Sequence, residues 1–398
     1  MKLLFVHEKS GSFAGAESNI LATAAELKRR GHVVGLLHGT VTGKGQAEWH
    51  DVFENRFSLE TNGGAAVVPR VLDMFGPDVI YIHKMADLKV IDALLNSPVP
   101  CVRMVHDHDL YCMRSYKYNV FTRRICERAL SPFCIFPCGA VVGRNGGSWP
   151  PVKWNSYANK VEELKLNKRF PRLLVGSNYM KEELVRNGFA TDKIEIHPPV
   201  PPPGDPSLRA TFGDENIILY AGQLVRGKGV DVLISALSQV EVPFECYIFG
   251  DGNHRKFCEK LSRSLGLSSH VHFKGHVSQE ELKLYYREAS MIVVSSVWPE
   301  PFGAVGLEAM RYGLPVVAFD AGAIKEWLID GYNGYVAPWM DRAVFAGRIE
   351  ELLRDKTLAR QMGENGRAMV AEYYAFPKYI DGLERTFARL AEPLRMAA

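Results

Sequence analysis

No apolar run in the 398 residues approaches the roughly 18 that a membrane-spanning helix needs. The opening "MKLLFVHE" turns charged too early to act as a secretory leader, so a cytoplasmic protein is expected, at most one that touches the inner face of the membrane. Cysteine is scarce. There are seven, an odd number, which argues against a disulfide framework and for reduced thiols. Four of them, Cys112, Cys126, Cys134 and Cys138, crowd one segment but lack the paired CxxC hooks of a closed zinc site. Ordinary thiols are expected there, with a structural metal or a disulfide as the alternative. Internal repeats are absent, and the only compositionally biased stretch is the run of prolines at 198–203. The net charge of +3 hides a basic first half and a slightly acidic second half. A basic half could face an anionic substrate or a membrane surface, although solvated charge is the commoner explanation, and nothing forms a stripe suited to nucleic acid.

What is present reads as a globular α/β chain. Apolar residues make up 47% and charged residues 23%, and the length suits two domains better than one or three. Short apolar runs alternate with amphipathic stretches from end to end, the pattern of parallel sheets crossed by helices. One series has strand candidates at 3–8, 32–39, 78–84, 101–107 and 172–177; the second has them at 217–223, 245–252, 271–275, 291–297 and 314–319. Between the series lies "HPPVPPPGDP" (197–206), which no helix or central strand can cross. The expected division is therefore 1–200, 207–376, and a terminal helix 377–398 that either caps its own domain or crosses back to the first. Two doubly wound sheets would meet at the carboxyl ends of their strands, where such sheets bind ligands.

The stretch "SSVWPEPFGAVGLEAM" (295–310) follows an apolar strand candidate, carries two prolines that fix a turn, and becomes helix-like from Ala304. A helix start offers unpaired N–H groups to an anion, and Gly303 and Gly306 are expected to clear space for a phosphate. Glu300 and Glu308 would repel that anion unless they address neutral hydroxyls, which a carboxylate accepts well. Together they suit the diols of a nucleotide sugar. Either glutamate alone would be read as a loop or surface charge.

Residues 295–336, with seven residues between the two glutamates and a following "EAM..G.PVVA....G..E...DG.NG" pattern, resemble the donor-binding signature of family four glycosyltransferases. That resemblance implies the GT-B fold, two facing Rossmann-like domains, and sugar transfer from a UDP- or GDP-linked donor to an acceptor hydroxyl, with retention and without a cofactor or catalytic metal. It implies that Glu300 contacts the transferred sugar and Glu308 the ribose, with Phe302 and Gly303 lending backbone groups. "GQLVRGKGVDVLISAL" (222–237) is similar to the family's diphosphate-gripping segment: Gly222 and Lys228 match, Gln223 stands where the family has arginine, and Arg226 could supply the missing cation. Gly250 and Gly252, and His276 with Val277, resemble loops that hold the base. Standing alone, each of these would be an exposed loop.

In the first domain "AGAE" keeps Gly15 of a Gly-Gly-Ala-Glu-like turn and replaces the preceding glycine with Ala14. His106 and Asp107 match the family's His-Asp pair beside the sugar. Asp107 and Asp109 also spell a metal-binding DxD, which belongs to a different, metal-dependent glycosyltransferase fold. Two other readings stay open: a non-catalytic nucleotide-sugar-binding protein, which Gln223 and Ala14 would suit, and a nucleotide-sugar epimerase of similar fold. The acceptor, a sugar, a lipid-linked group or another hydroxyl, is not specified by these residues. Finally, Arg114, Lys117, Arg123, Arg124 and Arg128 interleave with Tyr116, Tyr118 and Phe121, a composition expected of a peripheral membrane contact or a soluble acceptor loop.

Overall fold

The runs Leu3–Val6, Val79–Ile82 and Met291–Val294 carry no polar alternation, and the chain buries them completely, as central parallel strands covered by helices on both faces require. The computed structural model describes the chain apart from residues 12–14, 61–62, 120, 145–151, 206 and 398. Its contacts separate into two units. The first comprises Met1–Ser115, Glu127–Pro199 and Phe376–Ala398; the second comprises Tyr116–Cys126 and Val200–Ala375.

The first unit holds β1 (Lys2–Ser10), β2 (Val33–Val41), β3 (Asn55–Ser58), β4 (Val79–Ile82), β5 (Cys101–Val105), a separate antiparallel ribbon β6 (Val142–Arg144) and β7 (Val152–Trp154), then β8 (Arg172–Val175) and β9 (Ile194–Ile196). Its seven-stranded sheet has the order β3-β2-β1-β4-β5-β8-β9, and every pairing is parallel. The order reverses between β1 and β4, so their carboxyl ends diverge into a crevice. The helix Phe376–Ala397 packs here. Tyr379, Leu383 and Phe387 are buried, Phe387 meets Tyr81 at 5.2 Å between rings, and Arg30 holds Asp381 at 2.6 Å and Glu384 at 2.7 Å.

The second unit holds β10 (Ile217–Ala221), β11 (Glu245–Phe249), β12 (Val271–Gly275), β13 (Met291–Val294), β14 (Val316–Phe319) and β15 (Gly334–Ala337), all parallel in the order β12-β11-β10-β13-β14-β15. Its reversal lies between β10 and β13, so the loops leaving those two strands, 222–229 and 295–303, flank one crevice.

The structure departs from expectation in two ways. Asn55–Ser58, Ile194–Ile196 and Gly334–Ala337, each at a sheet edge, and the ribbon strands Val142–Arg144 and Val152–Trp154 went unrecognised in sequence; each has three or four residues, too few to show a periodicity. Tyr116–Cys126, assigned by position to the first domain, belongs to the second unit.

Candidate active site

Glu300 closes the turn after β13. Its backbone N–H donates to Ala321 O at 3.1 Å and its carbonyl accepts from Ala323 N at 2.9 Å, which pins the turn against the loop beyond β14. The side chain is 3% exposed. Three donors converge on one carboxylate oxygen, Oε1: the Lys228 ammonium at 2.6 Å, the Trp298 indole N–H at 3.1 Å, and the Ser296 hydroxyl. Oε2 has no hydrogen-bond partner among the described residues. Burial pushes the carboxyl up, and Lys228 with the hydrogen bonds outweighs it, so the group ionises below the ordinary glutamate range. Lys228 also lies 5.1 Å from the Trp298 ring centre, and the Gly227 carbonyl accepts from both Val297 N and Trp298 N. The loops after β10 and β13 are thus fastened to each other beneath this ion pair.

Glu308 sits in the helix Ala304–Arg311 and is half-buried. Its carboxylate makes no hydrogen bond among the described residues. Burial raises its pKa, moderated by Arg311, whose guanidinium binds the Pro201 and Pro202 carbonyls. Gly303 precedes the helix with φ 86° and no side chain caps the first turn, leaving its N–H groups open to a ligand. Phe302 is buried and its carbonyl is taken by the Trp327 indole at 2.6 Å, so only its N–H remains to give. Gly306 corrects the expectation stated for it. A Cβ there would lie 2.1 Å from Trp327 Cη2, so the missing side chain makes room for tryptophan rather than phosphate.

The other second-unit candidates line the same edge of the sheet. Arg226 is exposed and forms no ion pair among the described residues; Gln223 is exposed, with its backbone carbonyl accepting from Tyr220 Oη at 3.1 Å. Gly222 N–H donates to Phe249 O at 3.1 Å, tying β10 to β11. Gly250 and Gly252 follow β11 because a Cβ would strike Gly222 O at 2.1 Å and Leu224 O at 2.4 Å respectively. The Gly250 N–H reaches Gly275 O at 2.7 Å, just before exposed His276 and half-buried Val277.

The stretch expected to present a basic aromatic face does not do so as a whole. Lys117, Tyr118 and Arg123 are buried. Arg123 binds Asp231 at 2.5 Å, and Tyr116 stacks on Trp298 with ring centres 5.1 Å apart. Arg114, in the first unit, spends its guanidinium on the Cys138 and Gly139 carbonyls at 3.0 and 2.8 Å. Phe121 and Arg124 stay exposed. None of the seven cysteines is in a disulfide, and Cys126 lies in a different unit from Cys112, Cys134 and Cys138.

In the first unit His106 directly follows β5, and it is not alone. His7 near the end of β1 and His83 just after β4 bring three imidazoles to the carboxyl ends of adjacent strands. His106 Nε2 lies 2.8 Å from His83 Nδ1, and His7 Nε2 lies 3.3 Å from Glu17 Oε1. Burial, with His7, Lys84 and Arg103 adding to it and Glu17 opposing, pushes His106 down to about 3. The sequence held a usable signal for all three: "FVHE", "YIHK" and "MVHD" each end an apolar strand on histidine. Asp107 and Asp109 are both engaged by the Lys84 ammonium. Gly15 opens the helix Gly15–Arg29, exposed and with no atom of the described residues near a Cβ position, while Ala14 lies outside the described residues.

Residues 13–200 match the family described as Glycosyltransferase Family 4, and residues 209–369 match Glycosyl transferases group 1. A glycosyltransferase of Methanocaldococcus jannaschii is 33% identical over 221 residues, 56% of this chain and 60% of that protein. A D-inositol 3-phosphate glycosyltransferase of Streptomyces bingchenggensis is 30% identical over 230 residues, 52% of this chain and 50% of that protein. The chain therefore spans about half to three fifths of the length of these curated relatives. The crystal structure of Anabaena HepE in complex with UDP-glucose matches with a TM-score of 0.75 at 20% identity, covering 98% of this chain and all of that one. Two parallel α/β units in this arrangement of strands, the likeness in fold, and two family matches that divide nearly the whole chain between them place it: the protein has the GT-B fold and belongs to the family four glycosyltransferases.

Proposed function

We propose that this protein transfers a sugar from a nucleoside diphosphate sugar to an acceptor hydroxyl, with retention of configuration and without a catalytic metal. The observation that carries the reading is the unequal treatment of two carboxylates on one turn. Glu300 has Oε1 held by three donors and Oε2 left unpaired, and Glu308 has no partner among the described residues. A half-buried, unpaired carboxylate needs a ligand to satisfy it, and ribose hydroxyls donate what it accepts. Lys228 has three N–H donors and uses one on Glu300; the others, with exposed Arg226 and the open helix start at Gly303, would neutralise a departing diphosphate. In transfer, the acceptor oxygen bonds to the anomeric carbon as the carbon–phosphate oxygen bond breaks, and the acceptor proton passes to the leaving phosphate on the same face. Glu300 holds the sugar. His106, in the first unit, binds a substrate hydroxyl.

Calorimetry with UDP, UDP-glucose, GDP and GDP-mannose tests the assignment. Glu308→Ala should weaken nucleotide and nucleotide sugar alike, by about 1–3 kcal/mol. Glu300→Gln should spare free nucleotide while lowering kcat. Loss of nucleotide binding in both variants to the same extent, or in neither, would reject the division of sugar and ribose between them.

A peripheral membrane contact forms part of the same proposal, and of the residues 114–128 it retains Arg128, with aromatics that follow it. In the first unit Phe133, Phe136 and Trp154 are 55%, 83% and 80% exposed, and Arg128 lies 4.4 Å from the Phe133 ring centre. Exposed aromatics beside cations suit a lipid interface. No helix among the described residues is long and apolar enough to cross a membrane. Binding to anionic vesicles no stronger than to neutral ones at low salt would refute the contact.

A further inference from the structure

The three imidazoles of the first unit do more than share a location, because their partners decide which nitrogen of each carries the proton. His7 Nδ1 accepts the backbone N–H of Lys84 at 3.3 Å, so its proton is on Nε2, where it meets the Glu17 carboxylate at 3.3 Å. His83 is 1% exposed, packed beside Tyr81 at 4.2 Å and Phe5 at 5.7 Å between ring centres. Its Nδ1 lies 2.8 Å from His106 Nε2, the ring centres are 5.1 Å apart and the planes differ by 17°. Nitrogens so much closer than the ring centres, in nearly parallel planes, mean that the rings meet edge to edge with the lone pair aimed along the bond. The other nitrogen of His83, Nε2, is buried and has no partner among the described residues.

Two neutral arrangements satisfy the short contact. Either His83 Nδ1–H donates to His106 Nε2, or His106 Nε2–H donates to His83 Nδ1. The second puts the His83 proton on Nε2 and leaves a buried N–H with nothing to receive it, the rarest and costliest kind of orphan. The first leaves only a bare lone pair there. We propose that His83 is a positioning residue whose Nδ1–H donates to His106 Nε2, locking His106 in the Nδ1–H tautomer and making that N–H the group offered to a substrate hydroxyl. Neither ring readily takes a second proton here: desolvation opposes it at buried His83 and half-buried His106, Arg103 adds to that at both, and Lys84 adds to it at His106. The contribution to transfer rests on the proposed function; the tautomer does not.

The test uses the full chain labelled with ¹⁵N-histidine, with His106 signals assigned by their loss in His106→Gln. Long-range ¹H–¹⁵N correlation should show His106 protonated on Nδ1 and bare on Nε2. His83→Phe keeps an aromatic ring and removes the donor, so His106 should shift toward the Nε2–H form, and kcat should fall about tenfold, one hydrogen bond's worth, with nucleotide affinity unchanged. His83→Asn places an amide N–H where Nδ1–H stood and should restore both the tautomer and most of kcat. An Nε2–H form of His106 in the wild-type protein, or a tautomer indifferent to His83→Phe, overturns the proposal. If His83→Phe fails to fold, the wild-type spectrum and His83→Asn still decide it. A protein with no transferase activity but an Nδ1–H His106 would refute the proposed function and leave the tautomer standing.

Discussion

Removing the Lys228 ammonium tests the electrostatics of the turn most directly, because it leaves the carboxylate of Glu300 buried without its counter-charge. Lys228→Met keeps a straight apolar stem beside the Trp298 ring. Breaking a buried pair by deleting one partner costs about 3–5 kcal/mol. Lys228 keeps 23% of its side chain exposed and Glu300 retains Ser296 and Trp298 as donors, so the lower end, about 3 kcal/mol, is expected. Glu300→Gln keeps an amide oxygen for the same three donors and strands only a partly solvated ammonium, costing about 1 kcal/mol. In the double variant no charge is left stranded. Its loss should stay near ~1 kcal/mol rather than the roughly 4 of simple addition.

The pH dependence gives a second reading of the same pair. In the wild-type protein the folded carboxyl ionises below its ordinary value of 4.5, so its stabilising contribution is complete above that value and is lost as pH falls through the folded one. In Lys228→Met burial is opposed only by the Ser296 and Trp298 hydrogen bonds, and since burial is the largest influence the folded value is expected to rise above the unfolded one, so stability is greatest below about 4.5 and declines as pH increases. The deficit relative to wild type should therefore widen from pH 4 to pH 7. Because a chain of two units need not unfold in one step, amide exchange of Ile217–Ala221 and Met291–Val294 is the appropriate measure. Additive losses in the double variant, or a deficit that does not change with pH, would refute the account of Glu300.

Three further outcomes follow from the same geometry. Gly306→Ala forces a methyl group against the Trp327 ring and should destabilise the second unit by about 1–3 kcal/mol in urea unfolding; unchanged stability would mean that the ring is free to move. Arg123→Met leaves Asp231 buried without its guanidinium and should loosen Tyr116–Cys126, seen as faster tryptic cleavage after Arg124; an unaltered cleavage rate would show that the ion pair does not hold the segment. Transfer should survive chelator, since Lys228 and the helix start supply the positive charge; inhibition reversed by Mg²⁺ or Mn²⁺ would return the metal to Asp107 and Asp109.

The parts of this molecule legible in the sequence are those whose cause is local. A run such as "MIVV" must be a strand buried on both faces, and a Pro-Phe-Gly-Ala sequence after it must turn into a helix, so Glu300 and Glu308 could be placed on a strand-to-helix turn from residues within a dozen positions. The short edge strands were lost because three or four residues carry no period to detect, whether exposed and half-buried as in Asn55–Ser58 or mostly buried as in Gly334–Ala337. Gly306 was misread for the reverse reason: its local setting suits a phosphate, and the tryptophan that needs the space arrives 21 residues later in the chain.

Tyr116–Cys126 shows where composition misleads. Arginines and tyrosines in alternation describe a solvated basic face only if no carboxylate waits for them, and Asp231 stands 108 residues away, on the far side of the proline-rich break. Nothing within the segment distinguishes Arg123, which is buried, from Arg124, which is not. The same logic explains why the partner of Glu300 could not be recognised in advance. Lys228 was singled out for a phosphate, and 72 residues separate it from the carboxylate it holds. One ammonium thus serves two purposes: it keeps a buried glutamate ionised, with Oε2 unpaired, and it brings fixed positive charge to the strand ends where an anion would enter. A lysine chosen for phosphate alone could be replaced by any cation in reach. A lysine that also determines the charge of Glu300 cannot, because its loss alters the chemistry of the carboxylate together with the affinity of the site.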